Sequence, residues 1–138
     1  MKKYLFLAIT SLFFLGCSNS ENSNRNPYLP NYSFSVDINL NLPTYSTLKY
    51  VSNSVYYPNA GVRGLIIFNT NGNSYNAFDA ACPNQDLSDC STMTIKGINA
   101  LCPCDKKEYN LFTGQGGMPY PLKQYRVEVK GDVIRIYN

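Results

Sequence analysis

Histidine is absent from the whole chain of 138 residues. That absence removes imidazole from every role it commonly fills: general base, metal ligand, activator of a serine or cysteine nucleophile. Charge is scarce too, at 15% of residues, and nearly balanced. Twelve Lys and Arg stand against nine Asp and Glu, and two of the lysines, Lys2 and Lys3, fall in a segment that reads as removable. The remaining ten basic residues against nine acidic ones leave too little positive charge for a nucleic-acid-binding face. No apolar period of 3.6 residues is sustained as a helix would need, and no segment repeats. Gly114-Gln115-Gly116-Gly117 lacks both the lysine and the following helix of a phosphate loop, and reads as a turn. What is present in quantity is tyrosine, twelve of them, and five cysteines.

The first cysteine belongs to the N-terminus. Lys2 and Lys3 precede an apolar run of twelve residues, Tyr4 to Leu15. That is short of the ~20 residues a membrane-spanning helix requires, and it has the form of a signal-peptide core. Phe14-Leu15-Gly16-Cys17 resembles the lipobox of bacterial lipoproteins. The resemblance implies removal of residues 1–16, lipidation of Cys17 and retention at a membrane of the bacterial cell envelope, on its periplasmic face or at the cell surface, because several acyl chains anchor stably where one does not. From Ser18 to Asn26 seven of nine residues are Ser or Asn, a composition with nothing to bury. Residues 17–31 are therefore expected to be a flexible tether, and residues 32–138 the folded domain.

That domain reads as short strands. Phe34 to Leu40 alternates apolar and polar without a break. Gly64–Asn69 and Ser74–Ala80 flank Thr70-Asn71-Gly72-Asn73, and Asn-Gly readily adopts the positive φ of a hairpin turn. Thr92–Ile95, Ile98–Leu101 and Glu108–Phe112 are shorter candidates. Tyr125–Val129 and Val133–Tyr137 make a second hairpin around Lys130-Gly131-Asp132. The expected class is all-β, and tyrosines suit it by filling pleated surfaces while their hydroxyls reach water.

Four cysteines remain, in two clusters: Cys82 with Cys90, and Cys102 with Cys104. In an exported domain they are disulfides or a metal site, and spacing alone does not choose. Asp79, Asp86, Asp89 and Asp105 lie near them in sequence and are acidic enough to suggest a hard cation, although such residues in loops are ordinarily only solvated.

The stretch around these cysteines resembles the Rieske domain family over residues 61–138. Asn69 to Asn84 is similar to that family's hairpin running into a C-P-H box, and Leu101-Cys102-Pro103-Cys104-Asp105 is similar to its second box, C-P-C-H. Gly117-Met118-Pro119-Tyr120-Pro121-Leu122 is similar to the loop covering the cluster, and Tyr125–Ile136 to the closing hairpin. The resemblance implies an antiparallel β-sandwich with a small loop-rich subdomain of the cluster-binding type. A Rieske centre sets two cysteine thiolates on one iron and two histidine nitrogens on the other. Here the cysteine positions are Cys82 and Cys102, but the histidine positions are Asn84 and Asp105. An amide is a poor iron ligand and a carboxylate a hard one.

The resemblance thus implies a domain with no cofactor. In the family's high-potential branch a second cysteine of each box forms a disulfide, which implies Cys90–Cys104 here and leaves Cys82–Cys102 to close in place of the iron. Three functions follow as expectations. The first is a non-enzymatic, lipid-anchored, cluster-free module serving a structural or partner-binding role, its partner an envelope redox or assembly protein. The second is an electron carrier holding a [2Fe–2S] cluster through Cys82, Cys102 and Asp105. The third is a thiol–disulfide protein cycling Cys102 and Cys104.

Overall fold

The computed structural model describes residues 25–138, so the expected signal segment 1–16, Cys17 and the tether as far as residue 24 lie outside the described residues. Nine strands and one 3₁₀ turn follow: β1 (Ser35–Asn39), the turn Ser46–Lys49, β2 (Ser54–Tyr57), β3 (Leu65–Asn69), β4 (Tyr75–Asp79), β5 (Thr94–Lys96), β6 (Asn99–Leu101), β7 (Glu108–Asn110), β8 (Gln124–Lys130) and β9 (Val133–Tyr137). The domain is all-β and every strand pairing is antiparallel. Six strands form one sheet in the order β1-β9-β8-β4-β3-β2, and β5-β6-β7 form a second. No helix among the described residues is long and apolar enough to cross a membrane.

The large sheet is two three-stranded ladders joined by a short seam, Ala77 opposite Tyr125 and Phe78 opposite Gln124. Across that seam the sheet curls onto itself. Ile38 of β1 and Ile134 and Ile136 of β9 pack in one cluster with Leu65 and Ile67 of β3 and Ala77 of β4. Side chains alternate faces along a strand, so Ile66, Phe68 and Phe78 point the other way, into a second core with Cys82, Met93, Cys102, Tyr109, Leu111 and Leu122. Strand β3 is buried on both faces, which is why it reads as an unbroken apolar run and not an alternating one. The small sheet and the cysteine loops are built on this second face.

Turn chemistry fixes the register. In the β3–β4 connection Asn69 Oδ1 accepts from the Gly72 N–H at 2.6 Å, and Asn71 Oδ1 accepts from the N–H groups of Asn73 and Ser74 at 3.1 and 2.9 Å. In the β8–β9 hairpin Lys130 faces Val133. Gly131 there has φ of 60°, the left-handed value needed at the first position of a two-residue turn.

Two expectations shift. β2, Ser-Val-Tyr-Tyr, is an edge strand with no clean alternation and was not foreseen as a strand; it pairs with β3 from Ser54 opposite Phe68 to Tyr57 opposite Leu65. The packed chain also starts before Tyr32. Leu29 is 5% exposed, Asn26 Nδ2 donates to the Pro83 carbonyl at 2.6 Å, and the Lys123 ammonium donates to the Pro30 carbonyl and Asn31 Oδ1 at 3.1 and 2.8 Å. Among the described residues the last part of the expected tether is thus laid onto the domain. A buried cation needs oxygen partners, and this segment supplies them.

Candidate functional site: the cysteine loops

Three loops meet beside the second core. The first, between β4 and β5, folds back on itself: Cys82 N–H donates to the Ser91 carbonyl at 2.8 Å, and Met93 N–H to the Ala80 carbonyl at 2.7 Å. The second, between β6 and β7, closes by reciprocal bonds, Cys102 N–H to Lys107 carbonyl and Lys106 N–H to Cys102 carbonyl, both 2.9 Å. The third runs from Gly114 to Leu122 and is tied at its ends by Gly114 N–H to Asn110 carbonyl and Leu122 N–H to Gly114 carbonyl.

Disulfides join the first two loops. Cys82 is bonded to Cys102 and Cys90 to Cys104, with Cα separations of 5.6 and 5.2 Å. Cys82 and Cys102 are buried at 1% and 0% exposure, whereas Cys90 is exposed and Cys104 half-buried. The sulfurs of Cys82, Cys102 and Cys104 lie within 4.8 Å of one another.

Asn84 and Asp105, the positions where the resemblance expects imidazoles, are turned to other work. Asn84 Nδ2 donates to the Tyr109 hydroxyl and to the Tyr120 carbonyl, both at 2.8 Å, and its Oδ1 accepts from the Tyr120 N–H at 2.9 Å. Both amide hydrogens and the oxygen are used, pinning the third loop to the first. Asp105 Oδ1 accepts from the Lys107 N–H at 2.9 Å and shapes its own loop, where Lys106 takes φ of 63°. So disposed, the Cys82 and Cys102 sulfurs are bonded to each other, Asn84 holds a hydroxyl and a backbone segment, and Asp105 holds the backbone of its own loop. Cys102 and Cys104, the expected cycling pair, are each bonded across the loops and not to one another.

The acidic residues do not gather either. Among the described residues, Cys82, Cys102 and Cys104 are the one set of three cysteine or carboxylate ligand atoms grouped closely enough for a metal. Asp86 and Asp89 are exposed. Asp79 is fully buried and accepts four bonds: from the N–H groups of Val62, Arg63 and Ala81 at 2.5, 3.2 and 2.8 Å, and from the Tyr125 hydroxyl at 2.7 Å. Burial, reinforced by the Asp79 charge, pushes the Tyr125 hydroxyl far above the usual tyrosine range. Burial also lowers the Lys123 ammonium, against the pull of Asp79, and raises the Tyr109 hydroxyl.

Sequence reasoning missed the work of three of these residues: Asp79 was offered only as a cation ligand, and Tyr109 and Lys123 were not singled out. Asp79 carried a usable signal, since it shares the inward parity of Tyr75 and Ala77 on β4. Tyr109 sits at the centre of Glu108–Asn110 with its flanks half-buried, again a parity signal. Lys123 carried none.

No family model matches the chain, and no curated protein matches it. Solved structures of similar shape exist. One is a chain in the complex of reduced oxygenase and oxidized ferredoxin in carbazole 1,9a-dioxygenase, 21% identical, TM-score 0.46, covering 63% of this chain and 82% of that one. Another is the ferredoxin of carbazole 1,9a-dioxygenase from Nocardioides aromaticivorans IC177, 16% identical, TM-score 0.44, covering 63% and 86%. A third, from Mycobacterium tuberculosis, is designated an NADH-dependent nitrite reductase small subunit, 16% identical, TM-score 0.47, covering 78% and 97%.

Proposed function

We propose that this protein is a lipid-anchored, Rieske-like module of the bacterial cell envelope that works without an iron–sulfur cluster and without substrate chemistry of its own. Its cross-linked loops form a rigid surface for an envelope redox or assembly partner. The observation that carries this reading is the employment of Asn84: all three of its hydrogen-bonding atoms hold Tyr109 and Tyr120 in place. A residue so committed stabilises the loops, and the two cystines do the same where a cluster would otherwise tie them. The anchor follows from Leu15-Gly16-Cys17. Asn26 is bonded to Pro83, beside Cys82, so the tether leaves the domain close to the loops. The nine residues after Cys17, Ser18 to Asn26, extend at most about 30 Å, which keeps the loops near the membrane surface.

Iron and acid-labile sulfide, assayed on protein exported to an oxidising compartment, test the cluster-free reading. The expected result is neither element in stoichiometric amount, and no Rieske-type paramagnetic resonance after reduction. One cluster per chain would replace this reading with that of an electron carrier ligated through Cys82, Cys102 and Asp105.

A further inference from the structure

The two cystines differ in access and share a neighbourhood. Cys90–Cys104 faces solvent; Cys82–Cys102 is sealed in the second core. Cys104 belongs to both environments, because its sulfur is bonded to exposed Cys90 and stands within 4.8 Å of the sulfurs of Cys82 and Cys102. Two hydroxyls attend the outer pair. Ser88 Oγ lies 3.3 Å from Cys90 Sγ and 3.7 Å from Cys104 Sγ, and Ser91 Oγ lies 4.0 Å from Cys104 Sγ. Hydroxyls so placed can donate to a sulfur that becomes a thiolate, the form that exchanges with disulfides.

We propose that the four cysteines form a dithiol–disulfide relay in which the exposed Cys90–Cys104 bond is the port through which a dithiol from outside reduces the buried Cys82–Cys102 bond. It rests on the cysteines being paired as described and not ligating metal. The reductant is a dithiol presented by an exported protein at the loop surface. It reduces Cys90–Cys104 and leaves as its own disulfide, and its two electrons and two protons appear as thiols on Cys90 and Cys104. Cys104, as thiolate, attacks Cys82 Sγ. The Cys82–Cys104 bond forms, the Cys82–Cys102 bond breaks, and Cys102 takes up the proton that Cys104 gave up. Attack on Cys102 is disfavoured because it would close a bridge across Pro103 alone. Cys90, as thiolate, then attacks Cys104 Sγ, which restores Cys90–Cys104 and frees Cys82 to take up a proton. Two electrons and two protons have moved inward, and the port is ready again. A dithiol reaching the surface can thereby unlock the loops that Cys82–Cys102 holds together, although that bond has no access of its own.

The test uses the full chain with dithiothreitol as the dithiol, acid quenching, alkylation and peptide mapping. Before any reductant, both bridges should be intact; four alkylatable thiols at that point would overturn the pairing and the relay together. Replacing the port by the double substitution Cys90→Ala, Cys104→Ala should slow reduction of Cys82–Cys102 by about tenfold or more, since exchange is limited by thiolate access to the sulfur attacked. A merely structural cross-link predicts the opposite, because losing it loosens the loops and speeds attack. An unchanged or faster rate, with both bridges intact in the unmodified chain, therefore overturns the relay and leaves the cluster-free reading standing. Should that variant not fold, Cys90→Ser leaves Cys104 as a free thiol beside the buried bond. With no reductant added, it should give a measurable share of chains bearing Cys82–Cys104, and a population bearing Cys82–Cys102 alone overturns the relay.

Discussion

Asn84 uses every hydrogen-bonding atom of its side chain. In the family this chain resembles, its place belongs to a metal ligand; here it is a three-way hydrogen-bond hub. Truncation to Ala strands the Tyr109 hydroxyl, on a fully buried side chain, and both backbone groups of Tyr120, and an unmade bond at a buried polar group costs about 1–3 kcal/mol. Asn84→Ala should lower the unfolding free energy by about that much in urea titration, whereas an unchanged midpoint would show the hub to be ornamental. The sequence revealed that imidazole was missing at 84 and 105. It could not reveal what Asn84 does, because its partners lie 25 and 36 residues away and their approach is set by packing. Asp79 differs. Its inward parity on β4 was readable, and only its four donors needed the fold.

At the scale of elements, the strands that were legible are those whose burial follows a simple period. β9 keeps its expected bounds of Val133–Tyr137, and its buried residues Ile134 and Ile136 alternate cleanly with half-buried neighbours. β3 was legible for the opposite reason, as an apolar run buried on both faces. β2 was not, because an edge strand with mixed half-burial leaves no periodic trace. The loops were legible through their cysteines and prolines alone. Their cohesion depends on cross-links more than on strand pairing, since β5, β6 and β7 have only three residues each. Removing the inner bridge by Cys82→Ala with Cys102→Ala should therefore lower stability by about 3 kcal/mol, for a loop of this length. Amide hydrogen exchange should locate the loss: faster exchange in residues 82–107, with β8 and β9 still protected. Equal loss of protection in β8 and β9 would mean that the two cores unfold as one unit.

For the molecule as a whole, the N-terminal segment and the cysteine loops form one neighbourhood. The segment from Asn26 to Asn31 runs past Pro83 and Lys123, so the described chain enters the domain beside the loops. Cys17→Ala should release the exported protein from membranes into the soluble fraction; protein that stays in the membrane pellet would refute the anchor. The composition made this tether look featureless, because a single leucine between two prolines does not announce that it is buried. The proposed function stands on cystines, and not a cluster, holding these loops, and the pairing of the cysteines tests it most directly. Mass mapping of unreduced, acid-quenched peptides from natively exported protein should find Cys82 joined to Cys102 and Cys90 joined to Cys104. Free thiols at Cys82 and Cys102 together with stoichiometric iron and sulfide would contradict it.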